Sequence, residues 1–140
     1  MNKIEWKDEY NLEIPAIDRQ HRKLFDYLNA LRQGIMDHNT VDAINKSLQD
    51  LYEYGKEHFS FEEHLMELGD YSVLAEHKVK HQEFNQKIEE YKNKFQQGNE
   101  LMATDIIVFI KTWLLNHILI EDRKYADYFV KNNFRCSEMD

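Results

Sequence analysis

One proline and four glycines in 140 residues leave the chain almost nothing that breaks a helix. Inside a helix proline costs about 3 kcal/mol and glycine about 1 kcal/mol relative to alanine. The proline, Pro15, lies near the N-terminus, so the chain after it is free to form long helices. Apolar residues recur at helical spacing in four stretches. Asp18 reads as an N-cap, followed by Leu24, Leu28, Leu31 and Ile35. Asn39-Thr40 breaks that helix and caps a second, from about Val41 to Leu68, which carries Ile44, Leu48, Leu51, Tyr52, Phe59 and Leu65. Gly69-Asp70 ends it. A third begins near Ser72, passes through Val73, His77, Phe84, Ile88 and Tyr91, and closes at Gly98-Asn99. The fourth starts near Leu101 and runs through Ile106, Phe109, Ile110 and Trp113, with residues 122–132 continuing or capping it.

Four such helices joined by short loops predict an all-α, antiparallel up-down four-helix bundle. Residues 1–140 read as one domain: an extended arm over 1–17, a bundle over 18–132 and a mobile tail over 133–140. The arm carries Trp6, Tyr10, Leu12, Ile14 and Ile17 and is expected to pack along the outside of the bundle.

Charge narrows the partners. Eighteen Lys and Arg against 26 Asp and Glu give a net charge of −8, a poor match for nucleic acid or anionic lipid. Residues 1–15 contain no apolar signal-peptide core, and the best apolar run, 106–110, is cut by Lys111 and too short to cross a bilayer. Cys136, the single cysteine, cannot form an internal disulfide. These features predict a cytoplasmic protein without membrane insertion, with a monomer favoured.

Chemistry concentrates in the histidines. His58 and Glu62, and His77 and His81, are pairs at i and i+4, so each pair shares one helix face. His21 lies on the first helix; His117 lies on the fourth, five residues before Asp122. On a regular helix five residues turn a side chain roughly 140° away. Both can reach one site only if the helix widens, which predicts a π-type turn or a helix end there. His38, at a helix end, and His64, which follows Glu62-Glu63, read as ordinary surface residues.

Five imidazoles and two carboxylates are too many ligands for one ion and suit two, if the carboxylates bridge. Three histidines on one ion and two on the other, with two bridging carboxylates and a solvent-derived bridge, leave one position open. Such an imidazole-rich, redox-capable pair suits iron better than zinc or manganese, and the open position suits a small oxidant such as dioxygen. Oxidising di-iron bundles use glutamates and a Glu-x-x-His motif; no histidine here has a glutamate three residues before it. A nitrogen-rich site favours Fe(II), and hence reversible binding over cleavage of the O–O bond.

The order and spacing of these elements resemble the hemerythrins, and among them the stand-alone bacteriohemerythrins. The resemblance rests on Ile4-Glu5-Trp6, Ile17-Asp18-Arg19-Gln20-His21 with Leu24-Phe25, and His58-Phe59-Ser60-Phe61-Glu62-Glu63. It continues through His77-Lys78-Val79-Lys80-His81, Trp113-Leu114-Leu115-Asn116-His117-Ile118 and Asp122-Arg123-Lys124-Tyr125. It implies one iron on His77, His81 and His117, another on His21 and His58, with Glu62, Asp122 and an oxo or hydroxo group as bridges. Dioxygen would bind at the iron held by two histidines, take two electrons from the Fe2+ ions, which become Fe3+, and return them on release. The resemblance also implies that Trp113, Leu114 and Ile118 face the open site, with Phe25 and Phe59 nearby; side chains of these types on inward helix faces also serve as core. Met66 and Met102 read as packing.

The leading expectation is an oxygen-binding protein and not an enzyme, serving storage, delivery or scavenging, with an oxygen-consuming enzyme as a possible receiver. The alternatives are a redox sensor acting through a separate partner, a di-iron enzyme reducing peroxide or nitric oxide, and a structural zinc or manganese site. Against an enzyme, no further acid–base residue stands out around the ligands; against a structural site stands the open coordination position.

Overall fold

The computed structural model describes residues 2–95 and 100–140. Its long helices are α1 (Pro15–Met36), α2 (Val41–Leu68), α3 (Leu74–Phe95) and α4 (Glu100–Asn116). A π-helical turn, His117–Asp122, carries α4 without interruption into α5 (Arg123–Lys131). Among the described residues there is no strand. The helices form a closed ring in which α1 packs on α2 and α4, and α3 on the same two. The expected closure of α3 at Gly98-Asn99 lies outside the described residues.

Helix starts show where local chemistry was read correctly and where it was not. The Thr40 hydroxyl accepts the N–H of Ala43 at 3.1 Å, capping α2 as its sequence predicts. Asp18 does not cap α1. Pro15, with φ already suited to a helix, opens α1 three residues earlier. Asp18 therefore sits in the first turn and accepts the N–H of Leu12 at 2.8 Å, tying the arm down over the helix end. The arm is also not wholly extended, since residues Asp8–Tyr10 form a 3-10 turn. Arg123 holds it from the other side by donating to the carbonyls of Asn11 at 2.7 Å and Glu9 at 3.3 Å.

At their C-termini, α1, α2 and α5 close with left-handed residues that are not glycine: His38, Asp70 and Asn133, with φ of 53°, 54° and 55°. After each, the next N–H returns to the carbonyl five residues back, as from Tyr71 to Met66 at 2.9 Å. Gly69 is needed for closeness instead. A Cβ there would stand 2.5 Å from Cε1 of Phe129 and 2.9 Å from Cδ2 of Phe134.

The apolar interior is in two parts. One contains Leu24, Leu28, Phe59, Phe84, Leu114 and Ile118; the other contains Ile17, Leu65, Met66, Tyr125 and Phe129. On every helix the histidines and carboxylates of interest fall between the two. Along α1 the order is Ile17, His21, Leu24, and along α2 it reverses, Phe59, Glu62, Leu65. The alternation continues in α3 and α4, which fixes the antiparallel arrangement.

The tail is docked, contrary to the expectation of a mobile terminus. Met139 is buried in the second core, beside Leu12 and Ile14, and residues Ser137–Met139 form a 3-10 turn. Glu138 contacts His64 at 2.7 Å. An apolar side chain close to the end of the chain gains enough from burial to order the residues leading to it. The continuous helix Leu101–Lys131 also differs from expectation. Its most apolar window has a mean hydropathy of 1.5, so by length and composition it is able to cross a membrane. The short apolar run is only part of it, and its inward-facing His117 and Asp122 are those of a bundle helix.

Candidate metal centre

Seven buried side chains from all four helices converge between the two cores. His21 comes from α1, His58 and Glu62 from α2, His77 and His81 from α3, and His117 and Asp122 from the two ends of the π turn. The π turn resolves the awkward spacing of the last pair. One extra residue in the turn brings side chains five apart onto one face, and His117 Nε2 lies 3.1 Å from Asp122 Oδ1.

The geometry divides into two groups that share both carboxylates. Glu62, His77, His81, His117 and Asp122 form one; His21, His58, Glu62 and Asp122 form the other, with the donor atoms of each within 4.8 Å of one another. Glu62 turns Oε1 toward His81 at 3.0 Å and His77 at 3.2 Å, and Oε2 toward His58 at 3.1 Å and His21 at 3.4 Å. Asp122 does the same, with Oδ1 3.1 Å from His77 and Oδ2 3.1 Å from His21. Adjacent donors at about 2.1 Å from an octahedral ion stand about 3 Å apart, which is the spacing seen here.

The hydrogen bonding points to cations as well. Both oxygens of Asp122 and both ring nitrogens of His21 are buried without a hydrogen-bond partner, although their neighbours are close. The Asp122 oxygens and His21 Nε2, aimed at a common point and not at one another, account for three of these four atoms; left without a cation, the arrangement is costly. His81 Nδ1 donates to Glu63 at 2.7 Å and His58 Nδ1 to Gln20 at 2.7 Å, which leaves each Nε2 lone pair facing inward. Tyr125, fully buried, donates its hydroxyl to Glu62 Oε2 at 3.0 Å. Spacing along the helices assigns no role to Gln20, Glu63 or Tyr125. Gln20 and Glu63 adjoin the ligand candidates His21 and Glu62 in sequence, the one local signal for either, and Tyr125 adjoins none.

The carboxylates and imidazoles shift one another's protonation strongly. Burial lowers the pKa of His21 and His77, but the Asp122 and Glu62 carboxylates outweigh it and raise each to about 9. His117 is raised by Asp122 and Glu62 against the same burial. In Glu62 and Asp122 burial works the other way, and the surrounding imidazoles hold both carboxyls below their usual range. Burial also pushes the Tyr125 hydroxyl well up, so it remains a donor.

Of the expected pocket residues, Phe59 stacks on His81 with ring centres 3.9 Å apart, and Trp113 stacks on His117 at 4.3 Å. Both rings therefore lie against the three-histidine group, where Trp113 had been expected at the open, two-histidine side. Phe25 packs under Trp6 at 5.1 Å and Tyr10 at 5.6 Å. Leu114 and Ile118 are buried in the first core.

Comparison with known proteins agrees with this arrangement. Residues 12–129 match the model of the hemerythrin HHE cation-binding domain. A bacteriohemerythrin of Stenotrophomonas maltophilia is 34% identical over 122 residues, covering 87% of this chain and 78% of its own length. One from Clostridium acetobutylicum is 35% identical over 126 residues, covering 87% and 98%. A myohemerythrin of Theromyzon tessulatum is 29% identical, covering 86% and 89%. The crystal structure of a leucine-to-phenylalanine mutant superimposes with a TM-score of 0.79 at 28% identity, over 91% of this chain and 97% of that one.

Proposed function

The chain belongs to the hemerythrin family, and from that premise we propose that it binds dioxygen reversibly at two iron ions, as a carrier, store or scavenger and not as an enzyme. His77, His81 and His117 would hold one ion and His21 and His58 the other, with Glu62 and Asp122 shared between them. The observation that carries this reading is the division of each carboxylate between the two histidine groups, one oxygen to each. When bound, the iron pair would supply the redox chemistry, lending two electrons to dioxygen and taking them back on release.

The protein's own residues have three tasks. The five imidazoles, neutral and nitrogen-rich, favour the reduced ions, while Glu63 and Gln20 fix the inward tautomers of His81 and His58. Tyr125 steadies the shared oxygen Oε2 of Glu62. The apolar wall of Phe25, Leu114 and Ile118, each at most 3% exposed, excludes the water and anions that would draw bound oxygen off as a reduced product. Residues 1–140 act as one domain in the cytoplasm, with an oxygen-consuming enzyme as receiver.

The test is an absorbance spectrum, with iron analysis, of the reduced protein before air, in air and after argon. Two irons per chain and a charge-transfer band that grows in air and fades under argon are expected. A band that forms once and does not reverse would move the function to a sensor or redox enzyme; absence of iron would remove the assignment.

A further inference from the structure

The two sides of the buried site meet solvent differently. A cleft of about 460 Å³ between α3 and α4 is lined by Lys80, Phe109, Trp113, Asn116, His117 and Glu121, among others. A second, of about 340 Å³, is lined by Tyr71, Glu76, His77, Lys80, Glu121 and Lys124. Each ends on a histidine of the three-histidine group. His77 and His117 line these clefts while remaining only 3% and 4% exposed. Neither cleft is lined by His21 or His58. The opening on that side, about 430 Å³, reaches Trp6 and Phe25, one turn from His21, but is lined by no histidine of the site.

Lys80 and Glu121 line both clefts and form the wall between them, Nζ to Oε1 at 3.8 Å. Glu121 is further contacted by Lys124 at 3.4 Å. Glu121 belongs to the π turn and precedes Asp122, so the turn that completes the site also supplies half of this wall. A divalent cation crossing apolar packing has to give up its hydration without replacement, which is prohibitive. The two clefts are lined instead by carboxylates, Glu76 and Glu121 among them, together with one histidine of the site each.

We infer that metal ions enter the buried site through the paired clefts flanking Lys80–Glu121, reaching the three-histidine group first and the two-histidine group by way of it. This rests on the di-metal reading above. Lys80 opposes the incoming cation and Glu121 draws it in. A divalent ion passing roughly 8 Å from a unit charge in water changes its rate about fivefold when that charge is removed.

The experiment follows Co2+ uptake by the metal-stripped full chain, in stopped-flow absorbance at low ionic strength, with bound Co2+ counted at equilibrium. Lys80→Met is expected to speed uptake about fivefold and Glu121→Gln to slow it about as much, both differences shrinking in high salt. Lys111→Met, in a separate opening beside the arm, is expected to stay within about twofold of the parent. If Glu121→Gln fails to fold, Lys80→Met, whose side chain is 45% exposed, carries the test alone. Two ions bound at equilibrium with unchanged uptake in Lys80→Met overturns the route, as does an equal effect of Lys111→Met. No Co2+ bound by the parent overturns the di-metal reading, and the route with it.

Discussion

Loading the site with metal at neutral pH has to expel protons, and the number is set by the geometry. In the metal-free protein the Asp122 and Glu62 carboxylates raise His21 and His77 to about 9 against the opposing effect of burial. At pH 7, below that value, both rings are mostly protonated. A metal needs the Nε2 lone pair of both, so binding releases about two protons from these groups alone. Histidines with the ordinary value of 6.5 would together release only about half a proton. A bridging water that ionises adds to the count and cannot reduce it.

The assay is calorimetric titration of Zn2+, which is redox-silent, into the stripped protein at pH 7. Two buffers of different ionisation enthalpy give the proton count, and at least two are expected. The overall constant for two ions should rise about a hundredfold per pH unit, about tenfold per ion, up to about pH 9 and level off above it. Release of one proton or fewer would refute the account. For the metal-free fold the sign is the reverse. Stability contributed by the raised histidines is fully present below about pH 6.5 and is lost as pH rises through about 9. Stability contributed by the lowered Glu62 and Asp122 is present above their ordinary values and is lost in stronger acid.

Three further outcomes are expected. Tyr125→Phe removes the donor to Glu62 Oε2 and should weaken metal binding about 10- to 100-fold, read by competition with a chelator; unchanged affinity would leave Tyr125 as packing only. Leu114→Ala opens the apolar wall, should speed autoxidation of the oxygenated protein in stopped-flow absorbance, and should cost about 2–5 kcal/mol of stability; an unchanged autoxidation rate would remove Leu114 from that role. Gly69→Ala forces a Cβ against Phe129, which is 1% exposed and cannot retreat. The cost should be about 1–3 kcal/mol, or roughly 4–10 °C in thermal melting, and a melt within a degree of the parent would contradict the contact.

What could be read from sequence was whatever depended on spacing along one helix. The pairs His58/Glu62 and His77/His81, the cap at Thr40, and the five-residue gap that demands a widened turn before Asp122 all depend only on residues per turn. What required folding was everything set between elements. Gln20 meets His58 across 38 positions and Tyr125 meets Glu62 across 63, and no local pattern encodes such pairings. Asp18 was misread because Pro15 competes for the same helix start and wins through its fixed φ. Met139 was missed because one apolar residue carries no periodicity, and the stacking of Trp113 on His117 because ring orientation follows from packing.

The position of the site between two separate apolar cores bears on how the molecule unfolds. Leu24, Leu28, Phe59 and Phe84 hold one end of the bundle, Ile17, Leu65, Tyr125 and Phe129 the other, with a layer of imidazole and carboxylate between them. An apolar interior that runs unbroken melts as one unit, whereas two interiors joined by a polar layer communicate mainly through the helices that cross it. Metal bonds spanning all four helices, as proposed above, would turn that layer from the weakest seam into the strongest. Cooperativity itself thus becomes a property of the ligand: one transition with the ions in place, and two halves that come apart at separate temperatures once they are gone.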